Sequence, residues 1–349
     1  MLVGVNALSV DPACPSGEDR YLRHVLTTMR EIQPGTQFVL FTNPSNHDAL
    51  DGWDRECLES SSTFGIFGGI DAQLDRAARR RGIDVLFTSL WTAPARISVP
   101  TVLYALDLLG FEKEYLRERH RTPMPPKTAK RLCANAATIV APSEFIQRKY
   151  LELLEIPLNK VVVAPLGVDP VFGEPNACAV QQPFLLTVGT TREFRNIPRL
   201  REVFEWLKDE FPHNLVVVGR PGEAEPADWG ERVMRIEHCA AGHLAGLYQH
   251  CDVCVQASLY EGSGVTVLEA MRAGAAVATS RTGGIPEVAG DTPFYFNPES
   301  TSSIVAAVRW AIEEDAKQRH NRLKYGKQVA AEFTWEKCAW KTLSAFKRT

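Results

Sequence analysis

Short aliphatic and β-branched runs alternate along this chain with longer stretches whose apolar positions recur every three or four residues. Leu2 to Ala7 reads as a buried strand. After the proline-rich loop DPACPSG, Tyr21, Leu22, Val25, Leu26 and Met29 share one face of a helix over Glu18 to Ile32, with Gly17 at its start. Further strands are expected at Phe38 to Thr42, Asp84 to Thr88, Val102 to Leu106, Thr138 to Ala141 and Val161 to Pro165, with helices at Asp71 to Arg81 and Glu144 to Leu154. Unbroken apolar strands separated by amphipathic helices are the signature of parallel, doubly wound sheets.

The stretch from Gly167 to Pro183 has three prolines and little periodicity, so it reads as a linker. A second alternating set follows. Strands are expected at Phe184 to Val188, Leu215 to Gly219, Val233 to Ile236, Val253 to Ala257, Ala276 to Thr279 and Pro293 to Phe296. Helices fall near Pro198 to Phe211, His243 to His250 and Val265 to Met271, then over Thr301 to Phe333 and Trp335 to Phe346. The expectation is an α/β chain of two Rossmann-like domains, 1–167 and 184–333, joined by 168–183. A last helix within 334–349 is expected to pack back on the first domain. Two such domains leave a cleft between the carboxyl ends of their sheets, where these folds bind ligands.

Length and charge narrow the classes. The 349 residues suit two ordinary domains, and 39 Lys plus Arg against 42 Asp plus Glu argue against a general nucleic-acid binder. Eight scattered cysteines are too sparse for a disulfide scaffold and fit a reduced, cytoplasmic interior. Cys251 and Cys254 form a C-x-x-C, but they sit in what reads as a buried strand with no second pair nearby, so no metal is expected. The chain enters a strand directly at MLVGVNAL and has no run long enough to span a bilayer. No G-x-G-x-x-G follows the first strand and no P-loop occurs, which disfavours nicotinamide and P-loop nucleotide chemistry.

The densest chemistry lies in Tyr260 to Gly290, YEGSGVTVLEAMRAGAAVATSRTGGIPEVAG. Glu269 is one carboxylate in an otherwise apolar helix, which is costly to bury alone. Glu261 precedes the turn Gly262, Ser263, Gly264, and a glycine turn opening a helix offers backbone N–H groups and a positive dipole end to a phosphate. Carboxylates repel phosphate but accept from hydroxyls, so the ligand suggested has phosphate at one end and polyol at the other, as a nucleotide-sugar does. Residue by residue, a plainer reading stands beside this one: an internal cation neutralises Glu269, and Glu261 caps the helix.

The E-x7-E element Glu261 to Glu269 in EGSGVTVLEAMRAG, then GGIPEVAG, FNPES and the late FTWEKCAW, resembles the family 4 retaining glycosyltransferases of the GT-B fold over almost the whole chain. The resemblance implies a nucleoside diphosphate sugar donor held by the second domain, with no metal and no cofactor. Glu269 would hold the ribose hydroxyls, and Glu261 with the backbone of Gly262, Ser263 and Gly264 would hold the transferred sugar. Amides near Val265 and Thr266 would meet the pyrophosphate. Help for the leaving group would come from the loop LLTVGTTREFRN, which carries Gly189, Arg192 and Arg195, although two solvated loop arginines are the alternative.

The first half departs from the family pattern. Where a second glycine is usual after Gly17, the chain has Asp19, a carboxylate that would repel a diphosphate unless turned away. Where His-Asp is frequent after the fourth strand, it has Leu106 and Asp107. Asp107 could then contact the acceptor or merely cap the next turn. From Phe111 to Leu132 stand seven Lys or Arg against three Glu, facing either an anionic acceptor or membrane surface, or solvent. Arg79, Arg80 and Arg81 read as the polar end of a surface helix. The expected activity is sugar transfer to a hydroxyl of a glycan or lipid-linked saccharide. The competing reading is a non-catalytic GT-B subunit that binds nucleotide-sugar or partners an active enzyme. Peripheral membrane contact and homo- or hetero-oligomerisation stay open.

Overall fold

In the computed structural model, residues 1–13, 16–59, 68–112, 124–189, 193–220 and 230–349 are described. They divide into two compact units, Met1–Leu166 with Trp335–Thr349, and Gly167–Thr334. Among the described residues no helix is long and apolar enough to cross a membrane.

The first unit is built on seven strands: β1 (Leu2–Asn6), β2 (Gln37–Thr42), β3 (Asp54–Cys57), β4 (Val85–Ser89), β5 (Thr101–Tyr104), β6 (Thr138–Ala141) and β7 (Val161–Val163). All are parallel, in the order β3-β2-β1-β4-β5-β6-β7, so the order reverses between β1 and β4. Covered on both faces, strands such as VLFTS carry continuous apolar runs, with every residue of β4 buried.

Helices α1 (Gly17–Ile32), α2 (Gly68–Arg81), α3 (Pro126–Asn135) and α4 (Glu144–Leu154) belong to this unit. The five apolar residues expected on one face of α1 are the five it buries. Ser16 and Asp19 form a reciprocal capping box at its start: Asp19 N–H donates to Ser16 Oγ at 3.1 Å, and Ser16 N–H donates to Asp19 Oδ2 at 2.8 Å. The Asp19 carboxylate is thus turned onto its own helix. The C-terminal helix (Trp335–Phe346) lies in this unit too, with Trp335 stacked on His24 of α1 at 4.6 Å and Phe346 edge-on to Phe87 at 5.3 Å.

Two elements escape sequence reading. The edge strand β3, DREC, has no apolar alternation and exists through its pairing with β2. Arg80 and Arg81, expected as solvated, reach across to Glu56 and Asp54 of that strand, while Arg79 pairs with Asp75 at 2.8 Å. Helix α3 lies in the basic stretch and starts with proline at its first turn. The rest of that stretch, 113–123, lies outside the described residues.

The second unit holds β8 (Phe184–Val188), β9 (Asn214–Val218), β10 (Val233–Ile236), β11 (Val253–Gln256), β12 (Val277–Ser280) and β13 (Phe294–Phe296), parallel in the order β10-β9-β8-β11-β12-β13. Its helices are α5 (Ile197–Leu207), α6 (Ala241–His250), α7 (Val265–Ala273), α8 (Ile285–Ala289), α9 (Thr301–Glu313) and α10 (Ala316–Ala331), and the C-terminal helix of the first unit is α11. The strand period of two splits the core cleanly. Phe184, Leu186, Val216 and Val218 pack with α6, α7 and α8 on one face, whereas Leu185, Leu215 and Val217 pack with α5 and α9 on the other.

The stretch read as a linker is part of this unit's core. Val168 and Phe172 are buried in it, Val168 N–H donates to Phe333 O at 3.0 Å, and Asn176 N–H donates to Gln249 Oε1 of α6 at 2.9 Å. Prolines and low periodicity here mark an irregular segment that packs, and packing leaves no local signature.

Candidate functional site

In the second sheet the strand order reverses between β8 and β11, the place at which open α/β sheets bind ligands. The chain leaves β8 at Gly189, whose N–H donates to Val218 O at 2.9 Å. Residues 190–192 lie outside the described set, and Arg192 with them. A short helical turn at Glu193–Arg195 follows. Asn196, at φ 57°, then turns the chain into α5 and donates from Nδ2 to Pro298 O at 2.8 Å, so the FNPES segment anchors this loop.

Arg195 is not a solvated loop residue. Its side chain is 18% exposed, stacks over Phe194 and donates from Nη1 to Glu261 Oε2 at 2.5 Å and to Ser258 Oγ at 3.3 Å. Its Nε is buried without a hydrogen-bond partner among the described residues. The loop after β8 is sewn to the loop after β11 by Leu259 N–H, which donates to Phe194 O at 2.7 Å. A guanidinium with spare donors therefore sits beside a carboxylate, each 18% exposed or less.

Glu261 is held from below by the GGIPEVAG motif. Gly284 N–H donates to Glu261 O at 2.8 Å, and a Cβ on Gly283, at φ 59°, would lie 1.9 Å from that same oxygen. Only glycine permits such an approach. Gly262 and Ser263 are buried behind Glu261, and Gly264 forms the N-cap of α7 at φ 69°. A Cβ there would meet Val288 Cγ2 at 2.7 Å, so α7 and α8 converge on a glycine. Among the described residues no side chain caps α7 at Gly264, although Val265 N–H reaches Ser263 Oγ at 3.4 Å. The end of α7 thus presents first-turn backbone donors at Val265 and Thr266 with the positive end of the helix dipole.

Glu269 lies one turn into α7, 9% exposed, close enough to the Cys254 thiol of β11 to help raise it; burial is the larger cause and brings that thiol to about 12. Cys251 is pushed up by burial as well, and both cysteines are core residues of the β11 region.

Gly17 opens α1, and among the described residues nothing lies within 4 Å of where a Cβ would stand. Asp107 caps the turn that follows β5, accepting from Leu109 N–H at 3.1 Å. Leu106 is half-buried beside it.

Three residues were missed by sequence reasoning. Ser258 has no pattern that marks it, and Gly283 opens the GGIPEVAG motif without a signal of its own contact; they matter because the fold brings Ser258 to Arg195 and Gly283 to the Glu261 backbone. Glu18 has one weak signal, a second acid beside the capping Asp19. Its carboxyl accepts from Ser89 Oγ at 2.8 Å and is raised to about 7, chiefly by burial and also by Asp107 and Asp19, against the hydrogen bonds from Ser89 and the Leu106 N–H.

Residues 174–329 match the family described as Glycosyl transferases group 1, and residues 20–172 match Glycosyltransferase Family 4. Over 233 residues, 61% of this chain, the sequence is 26% identical to O-antigen chain mannosyltransferase B of Escherichia coli, and the match spans 61% of that protein's length. MMP alpha-(1->4)-mannosyltransferase of Mycolicibacterium hassiacum is 24% identical over 198 residues, 53% of this chain and 48% of its own. Among solved structures, sucrose-phosphate synthase of Thermosynechococcus elongatus superposes with a TM-score of 0.78 at 17% identity, covering 99% of this chain and 98% of that one. Anabaena HepE in complex with UDP and glucose gives 0.76 at 16% identity over 100% of both chains. With both halves matched in order and two parallel sheets of this topology, the chain belongs to the group 1, family 4 glycosyltransferases of GT-B type.

Proposed function

We propose that the chain is a retaining glycosyltransferase that moves a sugar, mannose being the first to try, from a nucleoside diphosphate donor to a hydroxyl of a glycan or lipid-linked saccharide. The observation that carries this reading is the convergence of Arg195, Glu261 and the uncapped start of α7 at the switch point of the second sheet. The names of the mannosyltransferase relatives motivate the choice of sugar.

The chemistry follows from the groups present. The amides at Val265 and Thr266 and the Arg195 guanidinium would hold the diphosphate as negative charge builds on the departing oxygen. That requires Arg195 to turn from Glu261 toward phosphate. Glu261, released, would accept from hydroxyls of the transferred sugar, and Glu269 from those of the ribose. The acceptor would attack the face that the diphosphate vacates, which preserves the anomeric configuration without an enzyme nucleophile. With charge handled by amides and a guanidinium, the reaction needs no metal ion.

Incubation with UDP-, GDP- and ADP-sugars, mannose among them, and a mannobiose acceptor tests the reading through nucleoside diphosphate release and the anomeric coupling of the product. Release with a retained product is expected. An inverted product would remove the mechanism, and no binding of any donor would remove the function. Donor binding without turnover would leave the non-catalytic GT-B subunit, the reading that Leu106 and Asp19 motivate.

A further inference from the structure

The first sheet has its own switch point. Its strand order reverses between β1 and β4, so the loops that leave the carboxyl ends of these strands frame a second place where an α/β sheet can take a ligand. Asn6 at the end of β1 fixes this place, donating from Nδ2 to Thr88 Oγ1 at 3.1 Å and to Thr92 O at 2.9 Å. Glu18, on the first turn of the helix that follows β1, projects there onto Ser89, the last residue of β4.

Capping does not account for Glu18, because Ser16 and Asp19 already close the start of α1. Packing does not account for it either, since an apolar side chain would occupy the position without the cost of burying a carboxyl. Ser89 Oγ accepts from Trp91 N–H at 3.3 Å, which directs its single proton at Glu18. With Ser89 Oγ as donor, one of the roughly four lone-pair directions of a carboxylate is used, the nearby Leu106 backbone also favours the charged form, and capacity for further donors remains. The described charged groups that bear on it, Asp19 on its own helix and Asp107 after β5, are both acidic, and the phenols of Tyr21 and Tyr104 lie close enough to feel its charge. Acidic surroundings of this kind repel phosphate and suit a neutral polyol.

We propose that Glu18, between Ser89 and Asp107 at the switch point of the first sheet, is the hydroxyl-recognition residue for the saccharide acceptor. The inference rests on the transferase reading, in which the first unit is the acceptor side, and deepens it by naming the residue that meets an acceptor hydroxyl. Glu18 accepts from an acceptor hydroxyl in its ionised form, so saccharide affinity increases as pH rises through the neutral range, where this carboxyl titrates.

The test uses the full chain with α-linked mannobiose and mannotriose as probes, titrated calorimetrically at about pH 5.5 and about pH 8.5, beside separate titrations with UDP, GDP and ADP. Saccharide binding is expected to tighten ~10-fold between the two pH values, the scale of a hydrogen bond to a charged group. Glu18→Gln keeps the side-chain shape and a carbonyl for Ser89; it should flatten the pH profile and weaken saccharide binding ~10-fold at the higher pH, with nucleotide affinity unchanged within about twofold. Saccharide affinity and pH profile in Glu18→Gln equal to those of the unaltered chain would show a merely structural hydrogen bond and overturn the proposal, as would no saccharide binding at either pH. The two readings fail separately. Glu18-dependent saccharide binding without sugar transfer would remove the transferase reading alone, while transfer with an acceptor KM insensitive to Glu18→Gln would remove this one alone.

Discussion

Arg195 and Glu261, 66 residues apart in sequence, are bonded at 2.5 Å between Nη1 and Oε2 at the switch point of the second sheet. Each is the other's counter-charge in a site where water is largely excluded, so removing either leaves a buried charge uncompensated. Arg195→Ala should therefore cost about 2 to 3 kcal/mol of stability in the second unit and reduce kcat by about two to three orders of magnitude. Glu261→Gln, which keeps the shape and a hydrogen-bond acceptor for Arg195 but not its counter-charge, should cost about 1 to 2 kcal/mol, less than Arg195→Ala, while kcat drops by about two orders of magnitude. Steady-state kinetics beside thermal melts separate the two effects. Normal turnover in Glu261→Gln would mean that the pair is structural only.

Gly283 supports Glu261 by backbone contact. In Gly283→Ala the new methyl would meet Glu261 O at 1.9 Å and the residue would be held at a positive φ, so the loop must move. Nucleoside diphosphate affinity is expected to fall at least ~10-fold with a destabilisation of roughly 2 kcal/mol. Calorimetric titration with UDP and GDP reads the first quantity, and unaltered affinity would show that the motif does not set the donor site.

Asp19 stands where a carboxylate would be expected to repel a donor phosphate, yet it is engaged in the α1 capping box. Asp19→Ala should lower the stability of the first unit by about 1 kcal/mol and leave donor affinity unchanged. A tighter donor in this variant would show that the carboxylate does reach the diphosphate.

Glu18 links stability to pH. Its folded-state value of about 7 lies above the usual 4.5, so the folded chain binds more protons than the unfolded chain between those values. That contribution is fully present below about pH 4.5 and is lost as pH rises through 7. Glu18→Gln should consequently be more stable than the unaltered chain at pH 8, by roughly 2 kcal/mol after allowing for partial exposure, and the difference should vanish below pH 4.5. Urea melts across this range give the sign directly; a Glu18→Gln chain that is less stable at pH 8 would contradict it.

In the proposed reaction the helix amides and the Arg195 guanidinium stabilise the diphosphate, so a divalent cation is not required. Transfer should persist within about twofold in excess EDTA, and a loss restored by Mg²⁺ or Mn²⁺ would require a different account of the leaving group.

Much of the architecture was legible because it is written in local periodicity. The five buried residues of α1, the unbroken apolar strands and the boundaries of β6, α4 and β8 follow from spacing alone, since a helix or strand face is set by residues a few positions apart. What failed had no such period. Strand β3 is made by its neighbour, and residues 168–183 looked like a linker because irregular chain packs without a repeat.

The sequence by itself determined that this is a two-sheet α/β chain with a carboxylate pair, Glu261 and Glu269, flanking a glycine turn and an apolar helix. Only the tertiary structure decided that Arg195 is partnered by Glu261, that Gly283 lies under the Glu261 backbone, and that Glu18 meets Ser89 across 71 residues. The physical reason is the same each time. A hydrogen bond or a close backbone approach depends on which strands the sheet places side by side, and strand order is a property of the assembled core rather than of any segment within it.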